Sequence, residues 1–204
     1  TPEYAKILGK LSKFLFSQEF LEAARLDPKH FTRRRTLTLP TVVSFLLSSV
    51  HAAVQSELDQ FFANLCNRAD SVRQVTAQAF YQARYKISAL VFGEVNEHLM
   101  GLVEEHLPIP RWRGLRVVAA DGSAVRLTMM KENIRSIVTG MVFGLYLPGI
   151  ELFLSFRLHE PLSDERQMFF EAIDGLRSDD VLLMDRCFPC RWLVSALTAR
   201  RIPF

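Results

Sequence analysis

RVVAADGSAVRL, residues 116–127, is the most telling run in the second half of the chain. Val117, Val118, Ala119 and Ala120 form a short apolar stretch that ends on the carboxylate of Asp121, and Gly122-Ser123 follow. The pattern predicts a buried strand over 115–120, a sharp turn at Gly122 and a continuation over 125–127. Open α/β sheets place their chemistry at strand ends of this kind. The arrangement recurs at VLLM, residues 181–184, which reads as a strand buried on both faces and followed by Asp185. Two such strands can bring Asp121 and Asp185 to one edge of one sheet. A carboxylate pair there can hold a divalent cation. Each Asp equally suits a plain turn or cap after a strand.

The 204 residues suffice for one medium domain or two small ones, and a hydrophobic content of 49% excludes wholesale disorder. Net charge is +3 with a sequence pI near 8.9. The excess is spread over both halves and argues only weakly for an acidic partner. Three cysteines are too few for a disulfide scaffold and point to a reducing compartment. No basic segment followed by an apolar core opens the sequence, so no signal peptide is expected. Two apolar stretches imitate membrane spans. Residues 41–54 fall short of the roughly 20 a helix needs. Residues 136–150 are interrupted by Pro148-Gly149 and read better as a hairpin of 142–146 with 151–157. A soluble protein with no membrane partner is expected.

Residues 1–110 carry helical spacing. Helices are predicted over 4–16, over 17–26 with Ser17 as cap, over 41–54 with Pro40 in the first turn, over 57–65, and over 92–107. Lys29, His30, Arg33, Arg34 and Arg35 make a dense basic stretch between them. Around residue 70 the pattern suggests a short helix capped by Asp70 or Ser71, a turn at Val75-Thr76, and a second helix over 77–87. That second helix presents Gln78, Gln82, Arg84, Tyr85 and Lys86. Helix-turn-helix modules meet duplex DNA in this way, and a solvated amphipathic helix gives the same pattern. Pro108-Ile109-Pro110 marks a domain boundary. The expected organisation is an all-α N-terminal DNA-binding domain over 1–110 and an α/β domain with a mixed sheet over 111–204. The second contains the strands already named, a helix over 162–176 capped by Ser163, and a helix beginning at Trp192.

Cys187-Phe188-Pro189-Cys190 is a C-x-x-C between a strand and a helix, the setting of a thiol redox motif. Cys66 is the one remaining cysteine, so a closed four-ligand zinc site is not supplied by cysteine. Arg33 to Arg35 and Arg111-Trp112-Arg113 are either solvated faces or phosphate contacts. His159, Glu160, Glu165 and Arg166 surround a helix start, where acid favours the helix dipole.

Taken together, Asp121-Gly122-Ser123, His159-Glu160 with Asp164-Glu165-Arg166, Leu183-Met184-Asp185-Arg186 with Phe188-Pro189, and Ile202-Pro203-Phe204 resemble the DDE transposases of bacterial insertion sequences, closest to the fourth family. Upstream, Thr32 to Arg35, Pro40, Leu58 with Phe61-Phe62, and Val75-Thr76 with Ala79-Phe80 and Ala83-Arg84 are similar as well. Cys187 stands where the family's second acidic motif usually has glycine. The resemblance implies an incomplete ribonuclease H-like fold and DNA transposition by metal-dependent strand cleavage and strand transfer. Asp121 and Asp185 would be the catalytic carboxylates and the ligands of Mg²⁺ (or Mn²⁺). Arg33, Arg34, Arg35, Gln78, Gln82, Arg84 and Lys86 would contact DNA. The implied partners are double-stranded insertion-sequence ends and target DNA, with room for a homodimer in the complex, in a bacterial cytoplasm at the nucleoid. The family's third carboxylate, a Glu, follows Asp185, whereas residues 186–204 contain no Asp or Glu. The expectation is therefore a fragment or truncated product that is inactive alone. The remaining readings are a non-catalytic DNA-binding or regulatory derivative and a thiol oxidoreductase using Cys187 and Cys190.

Overall fold

The computed structural model describes residues 2–33, 35–48, 52–70, 72–131 and 134–204. The chain divides into two compact units, Thr1–Val95 and Asn96–Phe204. The fold is mixed α/β, with eight α-helices and a five-stranded sheet among the described residues.

In the first unit the helices are α1 (Pro2–Leu15), α2 (Gln18–Ala23), α3 (Leu39–Leu47), α4 (Val54–Leu65) and α5 (Ala77–Arg84). Local chemistry sets their starts. The Ser17 hydroxyl accepts from Phe20 N, Thr38 from Thr41 N and Thr76 from Ala79 N, so each satisfies an orphan donor of a first turn. Pro40 falls in the first turn of α3, as its spacing requires. α3 stops at Leu47, short of the expected residue 54, and α4 begins earlier than expected. The core gathers Phe20, Val42, Phe45, Leu58, Phe62, Phe80, Val91 and Val95. Phe45 meets Phe61 and Phe80 edge-on at 5.4 and 4.9 Å.

The short helix expected from residue 70 does not form over 72–75, and Ser71 lies outside the described residues. The Gln55 amide from α4 holds this stretch in place of helical hydrogen bonds. It donates to Val75 O at 3.0 Å and accepts from Ala77 N at 2.8 Å. A helix-turn-helix pair with its first helix at 70–75 is thus corrected. α5 follows an irregular segment clamped by one side chain.

The division between units falls inside helix α6 (Val91–His106), upstream of the two prolines. Beyond it lie β1 (Arg111–Trp112), β2 (Leu115–Lys131), β3 (Ile134–Leu147), β4 (Leu152–His159), α7 (Glu165–Ala172), β5 (Asp180–Met184) and α8 (Arg191–Ala199). β2, β3 and β4 are successive antiparallel neighbours, and β5 joins the other side of β2 in parallel. The hairpin at Pro148-Gly149 is present, and Glu151 takes a left-handed φ of 57° to close it. The apolar stretch 136–150 is thereby a strand and its turn. No helix among the described residues is long and apolar enough to cross a membrane.

Two expectations about the first strand need correction. β2 does not turn at Gly122. It runs on for 17 residues, because its ladder with β3 continues from Ala119↔Tyr146 to Lys131↔Ile134. β5 is not buried on both faces, since Leu183 is 52% exposed while Leu182 is buried. α7 and α8 cover one face only. Met168, Phe169, Leu193 and Leu197 pack there with Val118, Ala120, Phe143, Leu145 and Leu182. The cap of α7 is Asp164, whose Oδ1 accepts from Arg166 N and Gln167 N. The Ser163 hydroxyl donates to Glu160 O instead.

Candidate functional site

Parallel pairing of β2 and β5 runs from Arg116↔Asp180 to Ala120↔Met184. Asp121 is the next residue of β2, and Asp185 is the first residue after β5 ends at Met184. Both aspartates thus follow the same end of the β2–β5 pairing, where β5 ends and β2 continues. Ala120 points into the core beneath α7 and α8, so alternation sends Asp121 out on the opposite face, where it is exposed. Asp185 is exposed as well.

At the other end of the pairing, Arg116 and Asp180 are 1% and 0% exposed. Arg116 donates to Asp180 through Nε at 2.6 Å and Nη2 at 2.9 Å, and through Nη1 to Glu104 at 2.7 Å. Burial works against the Arg116 charge. The Asp180 hydrogen bonds and the surrounding Asp180, Glu104 and Asp179 charges outweigh it and hold the guanidinium above its ordinary pKa. A slip of one residue would break this forked pair, so it holds β2 and β5 in register.

The loop after β5 is shaped by Asp185 itself. Its Oδ1 accepts from Cys187 N at 2.8 Å, and that backbone donor, with the Cys187 thiol, holds the Asp185 carboxyl below its ordinary value. The same contact pushes the Cys187 thiol up, through the hydrogen bond and then the charge of Asp185. An activated thiolate needs the opposite shift. Arg166, in the first turn of α7, donates to Cys187 O at 2.9 Å and ties that helix to the loop. On β2, Asp121 Oδ1 accepts from Gly122 N at 2.9 Å. Gly122 leaves room for Glu165, since a Cβ there would lie 3.1 Å from Glu165 Oε1.

As metal ligands, Asp121 and Asp185 offer oxygen donors at an exposed strand edge. That suits Mg²⁺ or Mn²⁺, which take one or two protein carboxylates and fill the remaining positions with water and phosphate. Among the described residues no three His, Cys, Asp or Glu side chains are grouped to hold a metal.

The DNA-contact candidates separate. Arg33, Arg35, Gln82 and Lys86 line one cavity of about 880 Å³ in the first unit, together with Lys29 and His30. Gln78 and Arg84 do not line it. Arg84 lies over the rings of Tyr81 and Tyr85, each 5.7 Å from its guanidinium carbon. Arg34 lies outside the described residues. The cavity also takes Gln74 and Thr76, which no pattern in the sequence marked as functional. The Gly122–Glu165 approach and the Arg166 tie to Cys187 were equally silent, because both cross between elements distant in sequence. Compared with protein-family models and with curated proteins, the chain finds no match.

Proposed function

We propose that this protein is a portion of a DDE transposase of bacterial insertion sequences: a nucleic-acid-binding N-terminal unit joined to a ribonuclease H-like unit that cuts and transfers DNA strands with Mg²⁺ or Mn²⁺. The observation that supports the proposal is the parallel register ending at Ala120↔Met184, after which Asp121 continues β2 and Asp185 opens the loop that follows β5. The strand order β4-β3-β2-β5, antiparallel except at β5, supports the ribonuclease H-like assignment. In this scheme Asp121 and Asp185 would hold the cation, which when bound would supply Lewis-acid chemistry at a phosphodiester. Arg166 positions the loop that carries Asp185. The basic cavity residues of the first unit hold the DNA backbone.

A non-catalytic DNA-binding derivative is the second reading. It is favoured by the lack of a three-ligand group among the described residues. The test is strand scission of duplex DNA in Mg²⁺ or Mn²⁺ by a longer form of the protein that supplies a later Glu, and by the Asp121→Asn and Asp185→Asn variants of that form. Scission that survives either substitution contradicts the transposase proposal. Equal duplex affinity in all three forms with scission in none favours the derivative. Absence of duplex affinity contradicts both.

A further inference from the structure

We propose that the cavity of the first unit is a nucleotide site, taking one phosphorylated nucleoside as a compact unit. Lys29, Arg33, Arg35 and Lys86 line it, and no Asp or Glu is among its described lining residues. Two other arginines of the unit are engaged. Arg73 pairs with Asp59 at 3.7 Å, and Arg25 donates to Leu21 O at 2.8 Å. Among the described residues the four cavity cations have no ion pair. Unpaired cations around a concavity focus positive potential and concentrate anions there. Arginine forks match phosphate oxygens in geometry as well as in charge.

The rest of the wall suits more than a bare phosphate. Phe31, Leu37 and Val75 give it an apolar side, and the Gln74 and Gln82 amides can meet the edge of a base. His30 Nδ1, also on the wall, is buried and has no hydrogen-bond partner. A buried polar atom in that condition calls for one. The cavity of about 880 Å³ lies within the roughly 300–1,000 Å³ of small-ligand sites. Basic residues at the rim can meet a duplex backbone, and the concavity with its mixed walls fits a single nucleotide. The source is either a free nucleotide or an unpaired nucleotide of a DNA strand. The site shares residues with the DNA face proposed above and needs nothing of the Asp121–Asp185 centre.

The experiment is calorimetric titration of the whole chain with adenosine diphosphate, adenosine, a fully paired DNA duplex, and the same duplex carrying one unpaired nucleotide. Adenosine diphosphate or the unpaired duplex should bind, with affinity falling as salt rises, and adenosine should not. Whichever of the two binds more tightly assigns the source. Arg35→Ala with Lys86→Ala should weaken binding roughly tenfold or more. Ala79→Phe, at an exposed position of α5 that lines the cavity, should weaken it without changing charge. Circular dichroism confirms that each variant is folded. Binding of neither phosphorylated probe overturns the inference. So does equal binding of adenosine, or binding that Ala79→Phe leaves unchanged. Loss of paired-duplex affinity with nucleotide binding retained would instead remove the DNA reading and leave this one standing.

Discussion

Arg116 and Asp180 are paired in register at the buried start of the β2–β5 pairing, whose other end is followed by Asp121 within β2 and by Asp185 in the loop after β5. Asp180 also accepts from Arg177 N at 2.8 Å, so its carboxylate takes three donors. Removing Asp180 leaves the buried Arg116 guanidinium with two unpaired donors and Glu104 as its one remaining carboxylate partner. Asp180→Ala should therefore cost about 3–5 kcal/mol in urea denaturation of the second unit. A cost under about 1 kcal/mol would show the pair to be incidental to register.

Acid should loosen the neighbouring pair in a defined direction. Asp179 is held below its ordinary value, first by its hydrogen bond from Arg111 at 2.8 Å. Its stabilisation is thus present above the unfolded carboxylate value of about 3.9 and lost as pH falls through the lower native value. Both side chains are nearly half exposed, so the gain is at most about 0.5 kcal/mol. Arg111→Ala should flatten stability below about pH 4 and leave its shape near neutrality unchanged. A loss of equal size at every pH would contradict this.

Cys187 should react slowly with iodoacetamide at neutral pH, because Asp185 disfavours its thiolate. Asp185→Asn should speed its alkylation, and peptide mapping by mass spectrometry separates Cys187 from Cys66 and Cys190. Faster reaction of Cys187 than of exposed Cys66 in the unaltered protein would revive the thiol chemistry of the C-x-x-C.

Duplex binding should weaken steeply with salt. Arg33→Ala with Arg35→Ala should lower the magnitude of the log–log salt slope by about 0.9 for each phosphate the protein no longer neutralises. Arg84→Ala should change it little, because that guanidinium lies over Tyr81 and Tyr85 outside the cavity. Duplex binding that ignores salt would contradict phosphate recognition altogether.

Short-range signals were the legible ones. Ser17 as a cap, Pro40 in a first turn and the Pro148-Gly149 hairpin act within a few residues, and the structure carries all three. The 3.6-residue spacing likewise located α4, α6 and α8 within a few residues. Gly122 misled, because a glycine can serve a turn or a close approach equally well. Here it admits Glu165 to an uninterrupted strand. Ser163 misled because Asp164, one residue later, binds two orphan amides of α7 and is the stronger cap. That Asp121 and Asp185 follow the same end of the β2–β5 pairing was readable from two apolar runs each closed by Asp. The Arg116–Asp180 pair that holds β2 and β5 in register was not, since no local pattern links residues 64 apart in sequence.

Manganese binding, followed by the electron paramagnetic resonance of free Mn²⁺, tests the shared-cation claim most directly. The protein should bind one Mn²⁺ weakly. Asp121→Asn and Asp185→Asn should each abolish that binding, with far-ultraviolet circular dichroism unchanged, because one cation needs both carboxylates. Mn²⁺ affinity that survives either substitution, in a folded protein, would contradict a cation shared between Asp121 and Asp185.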